Sequence, residues 1–176
     1  MANETQVEMR HIRLLTHRTV EQFLLRLFLR DEPIRTLCIA SPFISRLTGS
    51  RFTLEDLSKK VATEAIPTFV VTRQPIEPYQ QEAIFVLEQN PWVEIRFNES
   101  LHAKVLVAAA QRGCESFALF GSGNVTGRSI ESNIEVGMLI LAQGGGRVIV
   151  DELYYWVNQR LRILAESKLH QAIRLT

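Results

Sequence analysis

A chain of 176 residues fits one domain, expected to run from residue 1 to 176, with a core of useful size; 46% hydrophobic and 22% charged residues are the proportions of a globular protein. A net charge of +1 gives no electrostatic sign of nucleic-acid binding, and two cysteines, Cys38 and Cys114, exclude a disulfide framework or a cysteine metal cluster. No apolar run approaches the roughly 20 residues that span a bilayer, and Met1 to Gln6 lack the basic-then-apolar pattern of a signal peptide, so a cytoplasmic protein without integral membrane association is expected.

Helical periodicity predicts a first helix from about Val7 to Arg30, with Val20, Phe23, Leu24, Leu27 and Phe28 as its buried stripe. Arg10, Arg13 and His17 share one face of that helix, and Arg26 and Arg30 lie one turn apart; a solvated face or a phosphate-contacting edge both fit. Asp31-Glu32-Pro33 breaks the helix. Ile34 to Ile44 reads as a strand ending in a turn at Ser41-Pro42-Phe43, which would bring Ser41 and Phe43 to a strand end. Thr53, with Asp56 three residues on, caps a helix running through Ala65. Pro67 to Thr72 is a short strand, Tyr79 to Gln89 a helix stopped by Asn90-Pro91, and Trp92 to Phe97 another strand. Gln143 to Gly146 is a loop, and a last helix runs from about Arg147 to Ala165 or beyond. Strands alternating with helices, then three strands almost in succession, predict an α/β fold whose mixed sheet has helices on both faces.

Those three late runs lie between Leu101 and Ile140. Leu101 to Ala110 and Phe117 to Thr126 form a hairpin pattern around Gly113, and Asn133 to Ile140 follows a short helical turn at Thr126 to Ser132. Each carries a polar cluster at one end. His102 and Lys104 are two apart, hence on one face of an extended chain; Gly121-Ser122-Gly123-Asn124 forms a small-residue turn; Glu135 lies on the third run. Histidine attacks phosphorus or moves protons near neutral pH. Lysine and asparagine hold anionic oxygens without a metal, and a glutamate fixes a histidine tautomer. An exposed edge-strand carboxylate is the other reading of Glu135.

His102-Ala103-Lys104, then Gly121-Ser122-Gly123-Asn124, then Asn133-Ile134-Glu135-Val136-Gly137 resemble the phospholipase D superfamily, whose signature is His-x-Lys, a strand turn and Gly-Ser-x-Asn, followed by a strand with a supporting acid. The match covers about forty residues. It departs from the family at Ala109, where an Asp is usual, and in a longer hairpin turn at Gln111 to Glu115. The resemblance implies a phospholipase D-like fold and a phosphodiesterase reaction through a covalent phosphohistidine. His102 would be the nucleophile, Lys104 and Asn124 the holders of the non-bridging oxygens, Ser122 a phosphate-positioning group and Glu135 the acid that orients His102.

The chain carries one such motif, whereas the reaction needs one histidine to attack and another to protonate the leaving oxygen. The second is expected from another copy across a twofold axis, giving a homodimer with a shared site. No cofactor is expected. None of His11, His17, His102 and His170 has a partner at metal-ligand spacing, so no metal is expected either. Gly121 to Gly127 does not fit a dinucleotide fingerprint, since its third glycine falls one place late. The leading expectation is therefore a metal-independent nuclease acting on DNA or RNA. A phospholipid or other phosphodiester hydrolase is the first alternative, and a non-catalytic nucleic-acid-binding or assembly module the second.

Overall fold

A computed structural model describes residues 11–30 and 32–167; the sequence expectations at Val7 to Arg10, Asp31 and His170 lie outside the described residues. One eight-stranded mixed sheet runs through them: β1 (Ile12–Leu15), β2 (Ile34–Ala40), β3 (Thr68–Thr72), β4 (Val93–Phe97), β5 (Val105–Ala110), β6 (Phe117–Gly121), β7 (Gly137–Leu141) and β8 (Glu166–Ser167). Across the sheet the order is β1-β7-β6-β5-β2-β3-β4-β8. β2, β3 and β4 are parallel, and every other pairing is antiparallel.

Helices cover both faces, as the sequence predicts. On one face, α1 (Thr19–Leu29), α2 (Leu54–Thr63) and α3 (Pro78–Glu88) bury Phe23, Leu57, Val61 and Ile84 against Leu37, Ile39, Leu106 and Phe117. A short α4 (Gly127–Glu131) adds Ile130 to this core. On the other face, α5 (Gly146–Tyr155) continues through a π-helical segment (Trp156–Leu161) and a final turn α6 (Arg162–Leu164), burying Val150, Val157 and Leu161 against Cys38, Phe69, Val107 and Ile140. The alternation of Leu37 and Ile39 with Cys38 and Ala40 shows why β2 is apolar from Leu37 to Ala40: successive side chains enter opposite cores.

Two expectations are corrected. The first helix begins only at Thr19, after Arg18 takes a left-handed conformation at φ 49°. Ile12–Leu15, expected in that helix, is a strand that pairs antiparallel with β7 and covers what would otherwise be an open edge. Ile12, Leu14 and Leu15 satisfy either period, and the ladder decides. The last helix does not continue beyond Ala165: that residue is extended and leads into β8, paired with β4. The predicted Thr53–Asp56 capping box is present: the Thr53 side chain accepts from the Asp56 N–H, and the Asp56 carboxylate accepts from the Thr53 N–H. Those bonds from the Thr53 backbone and hydroxyl hold the Asp56 carboxyl below its ordinary range.

Cys38 is buried, and burial pushes its thiol up to about 12; Cys114 is exposed, and both are free. A thiol reagent at neutral pH is therefore expected to label one cysteine, Cys114, in the native protein and both after unfolding. Mass spectrometry of the labelled peptides checks this.

Candidate functional site

The strand order brings distant segments to one edge of the sheet. β5 runs antiparallel to β2, β6 to β5 and β7 to β6, so the C-terminal ends of β2, β3 and β6 share an edge with the N-terminal ends of β5 and β7. Ser41 and Phe43 follow β2, Arg73 follows β3, His102 and Lys104 precede β5, Ser122 and Asn124 follow β6, and Asn133 and Glu135 precede β7. The chain leaving β4 must cross the ends of β3 and β2 to enter β5, and His102 lies on that crossing segment. His102 and Lys104 thus sit just ahead of β5, not within it.

Backbone bonds lock the two motif halves together. The Gly121 N–H donates to the Lys104 carbonyl at 3.2 Å, and the Ser122 N–H to the Val136 carbonyl at 2.9 Å. Gly121 is dictated by this approach, because a Cβ there would lie 2.4 Å from the Val136 carbonyl oxygen. The Val125 N–H donates to Ser41 Oγ at 3.0 Å, and Ser41 Oγ donates to the Phe43 carbonyl at 2.8 Å. Ser41 and Phe43 therefore adjoin the Gly-Ser-x-Asn turn from the strand end where the sequence puts them.

Glu135 is buried, although it precedes β7 by two residues and does not lie in it. Ser122 Oγ donates to Glu135 Oε2, and Asn133 Nδ2 donates to Oε1 at 3.1 Å. Ser122 Oγ also accepts from the Val136 N–H at 3.0 Å. The open-edge reading of Glu135 does not hold, since β1 covers the outer side of β7. The expected contact from Glu135 to His102 is not the one made: both carboxylate oxygens are engaged by Ser122 and Asn133.

The His102 ring instead faces Arg73, whose Nη2 lies 2.9 Å from Nε2 and 3.3 Å from Nδ1. A guanidinium only donates, so the ring nitrogen bonded to it must be the one carrying a lone pair. Arg73 Nε also donates to the Leu101 carbonyl at 2.9 Å, which pins the crossing segment from below. Lys104 Nζ donates to the His102 carbonyl at 2.9 Å. Arg73 opens a loop punctuated by Pro75 and Pro78 and belongs to none of the motifs in the sequence. Its signal is positional, a basic residue immediately beyond the C-terminal end of a parallel strand, where open α/β sheets gather their sites. Asn124 completes the edge: its N–H donates to Ser129 Oγ at 3.0 Å, and its side-chain Oδ1 is buried without a partner. Native interiors seldom leave a polar atom so. Ala109, near the far end of β5, is buried opposite Thr36, roughly 13 Å of strand beyond Val105 at about 3.3 Å per residue.

Solved structures with this architecture include NucT from Helicobacter pylori, at a TM-score of 0.63 and 16% identity over 89% of this chain and 98% of that one. They also include Nuc from Salmonella typhimurium, described as a phospholipase D family member, at 0.57 and 14% identity over 89% and 97%. The chain has the phospholipase D fold. Polyphosphate kinase from Porphyromonas gingivalis shares it over 85% of this chain and 26% of its own length, at 0.55 and 12% identity. No family model matches the sequence, and no curated protein does. The phospholipase D fold is thus visible in the course of the backbone where overall sequence likeness is low. Among the described residues no helix is long and apolar enough to cross a membrane, and no three His, Cys, Asp or Glu side chains converge as a metal site would require.

Proposed function

We propose that the protein is a metal-independent phosphodiesterase, and specifically a nuclease cleaving DNA or RNA in the cytoplasm. The observation that carries this reading is the shared edge itself: the Lys104 carbonyl accepts from the Gly121 N–H, which ties the segment bearing His102 and Lys104 to the turn bearing Ser122 and Asn124, and Arg73 lies against the imidazole. That is one nucleophile among donors suited to a phosphate.

In the proposed reaction a His102 ring nitrogen attacks phosphorus in line. The P–N bond forms as the bond to the leaving oxygen breaks, and a second His102, from another copy of the chain, gives that oxygen its proton. Water then attacks the phosphohistidine, the second imidazole takes a proton from it, and the P–N bond breaks to free His102. Lys104, Asn124 and Arg73 hold the non-bridging oxygens. An arriving phosphate offers Arg73 a stronger, charge-assisted partner than the neutral imidazole, which releases the ring for attack. Glu135 acts on the turn around Ser122: its carboxylate accepts from Ser122 Oγ and Asn133 Nδ2 and so fixes the loop that carries Asn124.

The homodimer is supported by an exposed apolar row beside the site. Phe120, Met138 and Leu14 are register partners across β6, β7 and β1, with side chains 43%, 38% and 65% exposed, and Val136 next to Ser122 is 51% exposed. A second copy seated on this row would cover it and bring in the missing histidine. In a monomer the same row would favour a phospholipid substrate, so vesicles belong in the assay.

With Lys104, Asn124 and Arg73 as the electrostatic partners, excess EDTA is expected to leave hydrolysis of plasmid, single-stranded DNA or RNA within about twofold of its untreated rate. Activity abolished by EDTA and restored by Mg²⁺ would overturn the mechanism.

A further inference from the structure

Beside the candidate site lies a cavity of about 540 Å³, within the size range of small-molecule sites. Phe43, Arg46, Tyr79, Asn124, Arg128 and Asn133 are among its walls. Two features single it out. First, it holds two aromatic rings that the core does not use: Phe43 is 42% exposed and Tyr79 51%. Second, it is physically continuous with the site. Asn124 lines it, Asn133 both lines it and holds Glu135, and Phe43 lies under the Arg73 guanidinium, 5.4 Å from ring centroid to Cζ. The same guanidinium touches the His102 ring. Two arginines supply positive charge at the cavity: Arg46, in a surface pair with Glu82 at 3.0 Å, and the exposed Arg128, which has no ion pair among the described residues.

Exposed aromatic rings with arginines around them suit an unpaired nucleobase joined to a phosphate. Every base has a π-face to stack, and the sugar-phosphate chain meets the cations. A base inside a duplex has both faces occupied by its neighbours and its edge by its partner, so it cannot enter such a cavity without being extruded. We propose that this cavity is a nucleobase subsite, in which the base next to the scissile phosphate stacks on Tyr79 and Phe43, and that the substrate is therefore single-stranded nucleic acid. The proposal rests on the phosphodiesterase reading for which phosphate is cut.

Binding and cleavage test it separately. Fluorescence anisotropy with the His102→Ala protein, chosen to suppress turnover, would compare a labelled oligothymidine, a hairpin duplex and an abasic strand of equal length; the same three are then offered to wild type. The oligothymidine is expected to bind at least about 10-fold more tightly than the abasic strand or the duplex. Tyr79→Ala and Phe43→Leu, each built on His102→Ala, are expected to remove most of that advantage without changing abasic binding. Tyr79→Phe keeps the ring and should keep the advantage. Base-dependent binding without cleavage leaves the subsite standing and overturns the phosphodiesterase reading. Cleavage of all three at similar rates, with equal binding, overturns the subsite and leaves the reading intact. Ring-removing variants that weaken abasic and oligothymidine binding equally also overturn the subsite.

Discussion

His102→Ala is expected to lower turnover by about 10⁴-fold or more, roughly 5.5 kcal/mol of transition-state stabilisation, while the protein keeps its native fold. Both halves of that expectation follow from where the residue sits. His102 is exposed on the segment that crosses from β4 to β5, and its ring packs against Arg73 outside either core, so truncation opens no core cavity. The crossing segment keeps its anchor, because Arg73 Nε bonds the Leu101 carbonyl and not the imidazole. If the residue is both nucleophile and, in the second copy, proton donor, its loss removes two functions at once. Wild type quenched during turnover should also carry an acid-labile, base-stable phosphoryl group on His102, and the variant none. A folded His102→Ala protein with ordinary activity would remove the nucleophile assignment.

Diluting wild type with a roughly tenfold excess of His102→Ala, under conditions where subunits exchange, is expected to cut activity per wild-type chain to about a tenth. The reason is arithmetic of histidines. His11 precedes β1, at the end of the sheet away from the site, since β1 pairs antiparallel with β7 and Ile12 lies opposite Ile140. His17 sits in the turn before α1. Among the described residues neither belongs to the His-x-Lys and Gly-Ser-x-Asn set that includes His102, so a mixed dimer would have one half of the acid–nucleophile pair. Activity that stays constant while exchange is shown, by mass or by fluorescence transfer, would mean that each chain works alone. Substituting the apolar row offers an independent check: Leu14→Lys with Met138→Glu should leave a folded chain whose mass in solution is that of one copy.

Much of this was legible in the sequence, and for local reasons. Short apolar runs bounded by turn residues located β2, β3 and β4, prolines and capping residues bounded α2 and α3, and the spacing of His102, Lys104, Ser122 and Asn124 marked the strand ends where polar groups gather. Such features are written in neighbouring residues, because strand and helix periods, caps and turns involve contacts only a few positions apart.

What the sequence could not decide depended on partners far along the chain. Ile12–Leu15 is a strand because the outer side of β7 is there to pair with it; its own residues suit a helix equally well. Glu135 meets Ser122 and Asn133, and His102 meets Arg73, because the β4-to-β5 crossing carries the imidazole over the end of β3. Arg73 and His102 are 29 residues apart, and Phe43 and Asn124, on the same cavity wall, are 81 apart. Hydrogen bonds and ring contacts depend on ångström-scale distances between side chains, and those distances are set by strand order. The sequence by itself determined which chemical groups this protein has and on which local elements they ride; the tertiary structure alone decided which of them touch.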